Sequence, residues 1–231
     1  GIDMRLLQGS AEVANWPPGA QLGLSPRAQR LRDLVTEGDP AIHGAWQEAR
    51  MLAELEGEEA TASGQQRKGA HVRIAEFAAA RLREDARIAA FSLNGWDTHQ
   101  AQRNALPRAL DRLSETLVTL RSKLGRAPWD KTAVVALTEF GRTARENGTG
   151  GTDHGTGGMM VLAGGAVQGG RVHGDWPGLA SGNLYQNRDL MPTRDVRAHV
   201  AWIMRGMMGL ERGTLEASIF PGLDMGDNPH L

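Results

Sequence analysis

Residues 88–138 read IAAFSLNGWDTHQAQRNALPRALDRLSETLVTLRSKLGRAPWDKTAVVALT, and the hydrophobic period changes twice along them. Ile88-Ala89-Ala90-Phe91-Ser92-Leu93 is a short apolar run closed by Asn94-Gly95, the pattern of a buried strand. Leu106, Leu110, Leu113, Leu117, Leu120 and Leu124 then recur in steps of three and four, the stripe of an amphipathic helix, and Gly125 ends it. Thr132-Ala133-Val134-Val135-Ala136-Leu137-Thr138 is a second apolar run of strand length. Strand, long helix and strand make a βαβ unit, for which a right-handed crossover and parallel strands are expected.

Working outward, Met159-Met160-Val161-Leu162-Ala163 reads as a third strand. Residues 171–189 are rich in turn formers. Asp195 stands where it would cap a last helix holding Val196, Val200, Ile203, Met204 and Met207. Toward the N-terminus, Ser25-Pro26 opens a helix carrying Ala28, Leu31, Leu34 and Val35, which Gly38-Asp39-Pro40 ends. A second helix carries Ile42, Ala45, Trp46, Ala49, Leu52 and Leu55. A polar loop follows, then a third helix over about residues 67–87 with Val72, Ala75, Ala79 and Leu82 on one face. The expected organisation is therefore a helical segment, residues 1–66, packed on an α/β domain, residues 67–231, built on a mostly parallel sheet flanked by helices.

Composition narrows the function classes. The 231 residues carry 26 basic and 27 acidic side chains, a net charge of −1. No basic stripe interleaved with aromatics is present, so nothing favours nucleic acid. There is no cysteine, which excludes disulfides, thiolate ligands and a cysteine nucleophile. The longest apolar stretch, residues 159–167, is broken by glycines and too short to span a bilayer. The chain opens on Gly1-Ile2-Asp3, with neither methionine nor the features of a signal peptide, so a portion of a longer product is expected.

Open parallel sheets bind ligands beyond the carboxyl ends of their strands. Gly95-Trp96-Asp97-Thr98-His99 follows the first expected strand and Thr138-Glu139-Phe140-Gly141-Arg142 follows the second. Gly151-Thr152-Asp153-His154-Gly155 precedes the third. Asp97 and His99 are two apart, so in an extended segment they point the same way. A carboxylate and an imidazole on one side are half of a divalent metal site. Glu139 can add a carboxylate. Asp153 and His154 would diverge in a strand, but a glycine-rich loop can turn both inward. Arg142, just past a strand end, can hold an anionic oxygen.

Each segment also has an ordinary reading. Asp-x-His can be a capped turn. Glu139 can pair with Arg142 or Arg145, and Arg142 with Glu139 or Glu146. Asp-His-Gly can be a turn. Asn94 and Asn147 can orient ligands or simply serve turns. His173 can approach the site from the turn-rich segment, whereas His43, His71, His199 and His230 read as surface or packing residues. No Gly-x-Ser-x-Gly elbow and no Walker-type phosphate loop occurs.

In this order, Gly95-Trp96-Asp97-Thr98-His99, Thr138-Glu139-Phe140-Gly141-Arg142, Glu146-Asn147-Gly148 and Gly151-Thr152-Asp153-His154-Gly155 resemble the signature of the bacterial domain of unknown function 1501. The resemblance extends to Gly164-Gly165 and Gly169-Gly170 and covers about residues 70–220. Many members carry a twin-arginine export signal, which implies a periplasmic or exported protein. The family is in turn similar to the alkaline phosphatase and sulfatase superfamily, whose members cleave phosphate or sulfate esters with two divalent metals.

That resemblance implies an ester substrate, small molecule or polysaccharide, and a divalent metal: Zn, Mg, Mn or Ca. Asp97, His99 and His154 would hold one ion. Glu139 would serve the second, and Phe140 stands where that ion's histidine is expected, which leaves the second site weakened or absent. The superfamily's Ser or Thr nucleophile has no counterpart before Ile88 and is expected upstream of Gly1. The alternative is a non-catalytic binding or envelope-associated module on the same fold.

Overall fold

The computed structural model describes residues 69–229. The helices expected near residues 25–38 and 42–55, most of the polar loop after them, and His43 and His230 lie outside the described residues. The chain divides into two compact units, Gly1–Phe77 and Ala78–Leu231. Residues 69–77 of the first unit lead into and begin helix α1, Ala70–Arg83. Ala75, Ala78 and Ala79 are its buried positions, the helical spacing that the sequence leads one to expect.

In the second unit the long helix is α2, Gln102–Leu124, followed by the short α3, Arg126–Trp129. Gly125 separates them with φ +73°, a conformation that suits glycine. The buried line of α2 is Ala109, Thr116, Leu120 and Leu124. The C-terminal half of the leucine stripe, Leu120 and Leu124, is in this line, whereas Leu110 is exposed. The N-terminus of α2 has no side-chain cap. Its first amides go elsewhere: Ala101 N–H donates to Thr149 O at 3.1 Å and Gln102 N–H to Gly150 O at 2.8 Å. These bonds satisfy donors that a helix start leaves open. They also fix the glycine loop against the Asp97–His99 segment.

Four short strands follow. β1, Val134–Ala136, pairs antiparallel with β4, Val161–Ala163, in the register Val134↔Ala163, Val135↔Leu162 and Ala136↔Val161. β2, Gly141–Arg142, pairs antiparallel with β3, His154–Gly155. The described residues thus form a mixed helical structure with two small antiparallel sheets, and this corrects the parallel βαβ expectation. Residues 88–93 form no strand, and Ile88 is 69% exposed. The physical reason is partnership. β1 exchanges its ladder bonds with β4 after a reversal through residues 137–160, not with the run that precedes α2.

Helix α4, Val196–Met208, starts where the sequence indicates. Asp195 accepts a hydrogen bond from Arg197 N–H at 2.9 Å and pairs with the Arg197 guanidinium at 2.7 Å. After α4 come a short turn of helix, α5, Arg212–Thr214, and a π-helical turn, Leu215–Ile219. Ala198, Ala201, Leu215, Leu223 and Met225 form a core against which Trp202, Met204, Leu210 and Phe220 pack. Met207 and Met208, at the end of α4, are exposed. Among the described residues no helix is long and apolar enough to cross a membrane.

The cap gives a direct test. Asp195→Ala is expected to cost about 1 kcal/mol, which for a unit of this size lowers Tm by roughly 2–4 °C. The Arg197 side chain holds the Asp195 carboxyl below its usual range, against some desolvation. A depressed carboxyl contributes stability that is present above its unfolded pKa and lost as pH falls through the lower folded value. The deficit of the alanine variant should therefore shrink below about pH 4. A deficit unchanged at pH 2 would remove the carboxylate from the explanation.

Candidate metal centre

The antiparallel register of β2 and β3 sets Arg142 opposite His154. Directly opposed residues project from the same face, and both side chains meet Asp97. Arg142 Nη2 donates to Asp97 Oδ1 at 2.7 Å, and His154 Nε2 lies 2.9 Å from the same oxygen. His99 Nε2 approaches that oxygen too, at 3.0 Å. One ligand atom from each of Asp97, His99 and His154 lies within 4.8 Å of the others. The two imidazole rings are 4.7 Å apart between centroids, and Phe140 stacks on His154 at 4.0 Å.

Arg142 holds Asp97 and the backbone around it. Arg142 donates to Trp96 O at 2.7 Å and to Thr152 O at 2.9 Å besides Asp97, so one guanidinium ties together both loops that carry the cluster. Its ion-pair partner is Asp97, not Glu139 or Glu146. The Asp97 carboxyl is held below its usual range, chiefly by the His154 hydrogen bond. Desolvation opposes this, while the Arg142 bond and the charges of His99 and His154 reinforce it.

The candidate residues do not all converge. Asp153 lies behind His99, with Oδ1 3.1 Å from His99 Nδ1, on the far side of the ring from Asp97. Its carboxyl too is held low, first by Asn147 and then by His99. Glu139 sits exposed on the bend after β1 and is not part of the three-residue group. His173 and His199 line a separate cavity of about 450 Å³ together with Asp175, Thr193 and Arg194.

Two residues prove more central than the sequence suggests. Asn147 Oδ1 accepts from the backbone N–H groups of Thr149 and Gly151, each at 3.0 Å, while its Nδ2 donates to His99 O and to Asp153. Gln102 Oε1 accepts from the hydroxyls of Thr98 and Thr152, at 2.8 and 2.7 Å, and so joins the two loops a second time. Asn147 has a sequence signal as a turn former. Gln102 has none.

A family model described as protein of unknown function (DUF1501) matches residues 28–201. The chain belongs to the DUF1501 family. The match takes in every residue of the cluster. No curated protein and no solved structure matches the DUF1501 chain.

A carboxylate and two imidazoles converging on one point suit a divalent ion. Bonds of about 2.0–2.2 Å to a shared ion require donor atoms roughly 3–4 Å apart. The Asp97–His99 and Asp97–His154 separations lie at the short end of that range. Two imidazoles favour zinc-like ions over Mg or Ca, which prefer oxygen alone.

Proposed function

We propose that this DUF1501 chain holds one divalent ion through Asp97, His99 and His154 and forms part of a metal-dependent hydrolase of phosphate or sulfate esters. The convergence of those three side chains carries the reading. The resemblance of the family to alkaline phosphatases and sulfatases supplies the reaction class, and the export habit of that family suggests a periplasmic or exported enzyme. A bound ion would supply Lewis-acid charge to a substrate oxygen. The chain's own part is to fix the ligands in place. Arg142 already makes three hydrogen bonds, so an anionic oxygen would have to share its guanidinium, which has five N–H donors in all. The hydroxyls nearest the cluster are committed as well. Thr98 and Thr152 donate to Gln102, and Thr149 donates to His99 O.

A second reading is a single-ion binding module without turnover. It is favoured by Phe140, whose ring lies on His154 where a ligand of a second ion is expected. One experiment separates the two. Purified full-length protein is assayed for bound metal and for hydrolysis of a panel of phosphate and sulfate esters. The hydrolase reading expects activity that needs the ion and falls at least about 100-fold in His154→Ala, more than the 10–100-fold effect of losing a residue that merely supports a ligand. Bound metal with no hydrolysis of any ester would leave the binding module.

A further inference from the structure

Two carboxylates face the two nitrogens of His99, and the bonding around each oxygen is unequal. Asp97 Oδ1 already receives Arg142 Nη2 at 2.7 Å and lies 2.9 Å from His154 Nε2. Only the Arg142 guanidinium is bound to donate there; as ligands of one ion, His99 and His154 would turn lone pairs toward this inner side. Asp153 Oδ1 receives only Asn147 Nδ2, at 2.9 Å, besides His99 Nδ1 at 3.1 Å.

The orientation of the Asn147 amide is not open to exchange. Its Oδ1 is met by two backbone N–H groups, which can only donate, so its other end is the donor. Asp153 Oδ1 is therefore an acceptor with one site left, and His99 Nδ1–H fits it. An imidazole that binds an ion must be neutral, with a single N–H. His99 Nε2 then presents its lone pair to Asp97 Oδ1 at 3.0 Å. An ion held between them would accept both lone pairs.

We infer that Asp153, held by Asn147, is a positioning residue that fixes His99 with its proton on Nδ1 and its Nε2 lone pair aimed at the ion, rather than a metal ligand itself. This replaces the sequence expectation that Asp153 and His154 both turn onto the metal. The adjacent pair instead grips His99 from outside and faces Asp97 from inside. Carboxylates that brace ligand histidines in this way set ring orientation and raise ligand basicity. The inference rests on the reading of Asp97, His99 and His154 as a metal site.

The test uses zinc titrations of the wild-type chain, Asp153→Asn and Asp97→Asn, with long-range nitrogen–proton NMR of the ¹⁵N-labelled histidines. Asp153→Asn should bind one zinc about 10–100-fold more weakly, the usual cost of losing such a brace, with an unchanged melting temperature before zinc is added. In the zinc-loaded wild type the proton of His99 should sit on Nδ1 with zinc on Nε2, a readout that needs no variant. Zinc on Nδ1 would overturn the inference. Wild-type affinity in Asp153→Asn would overturn it while a loss in Asp97→Asn kept the metal site standing. Loss of zinc from Asp153→Asn as complete as from Asp97→Asn would make Asp153 a ligand and overturn it as well. A wild-type chain that takes up no zinc would refute the metal site, and the inference with it.

Discussion

Asp97→Asn is expected to weaken zinc binding by more than about 100-fold, beyond the 10–100-fold typical of residues that only support a ligand. The geometry explains why one atom matters so much. Asp97 Oδ1 is the oxygen on which His99, His154 and Arg142 all converge, at 3.0, 2.9 and 2.7 Å. Asparagine keeps the shape and can still accept the Arg142 hydrogen bond. It removes the negative charge that offsets a divalent ion beside a guanidinium. Calorimetric titration with zinc measures the loss, and binding at wild-type affinity and stoichiometry would refute the site. The metal-free variant gives a second readout. The wild-type carboxyl is held below its usual range. Its stabilising contribution is therefore present above the unfolded pKa, near 4, and is lost as pH falls through the lower folded value. The contribution is small because the group is exposed. The Tm of Asp97→Asn should fall slightly less than that of the wild type between pH 4 and pH 2.

What could be read in the sequence was what depends on short-range periodicity. The two-residue step from Asp97 to His99 places both side chains on one side, and they do meet. The helix-ending glycine after Leu124 and the Asp195 cap are local signals, and both appear in the structure. Strand partnership is not local. Residues 88–93 and β1 look alike as apolar runs, yet the ladder of β1 goes to β4, and antiparallel. An apolar run records that a segment can be buried, not which neighbour shares its hydrogen bonds. The same limit hid Gln102. Its role comes from the approach of residues 149–152 to residues 98–102, which only the tertiary structure provides. Asp153 and His154 fell between these cases. The loop was legible as flexible enough to turn both inward. That they serve opposite sides of one ring follows from the β2–β3 register, in which His154 is paired and Asp153 lies just outside.

Gly151→Ala is expected to destabilise the fold and disable the cluster together. An added Cβ at Gly151 would lie 2.3 Å from Thr98 O and 2.3 Å from the His99 carbonyl carbon. Both atoms are backbone, so no side-chain rotation relieves the clash, and the two loops must part. Forced backbone shifts of this kind cost about 1–3 kcal/mol, or roughly 3–10 °C of Tm for a unit of this size. The separation also strikes the bonds that set the ligands. Thr152 N–H donates to Thr98 O at 3.1 Å, and Gly151 N–H donates to Asn147 Oδ1 at 3.0 Å. Once these lengthen, Asn147 no longer carries Asp153 to His99, and His154 moves away from Asp97 with the strand that bears it. Zinc affinity should fall by more than the 10–100-fold of a single lost brace, although no ligand is replaced. Gly148→Ala is the control. It lies in the same loop, three residues away, and its added Cβ meets nothing within 4 Å. Its Tm and zinc affinity should match the wild type. Equal losses in the two variants would mean that the loop's flexibility, rather than the close approach of residues 98–99 to Gly151, sustains the site.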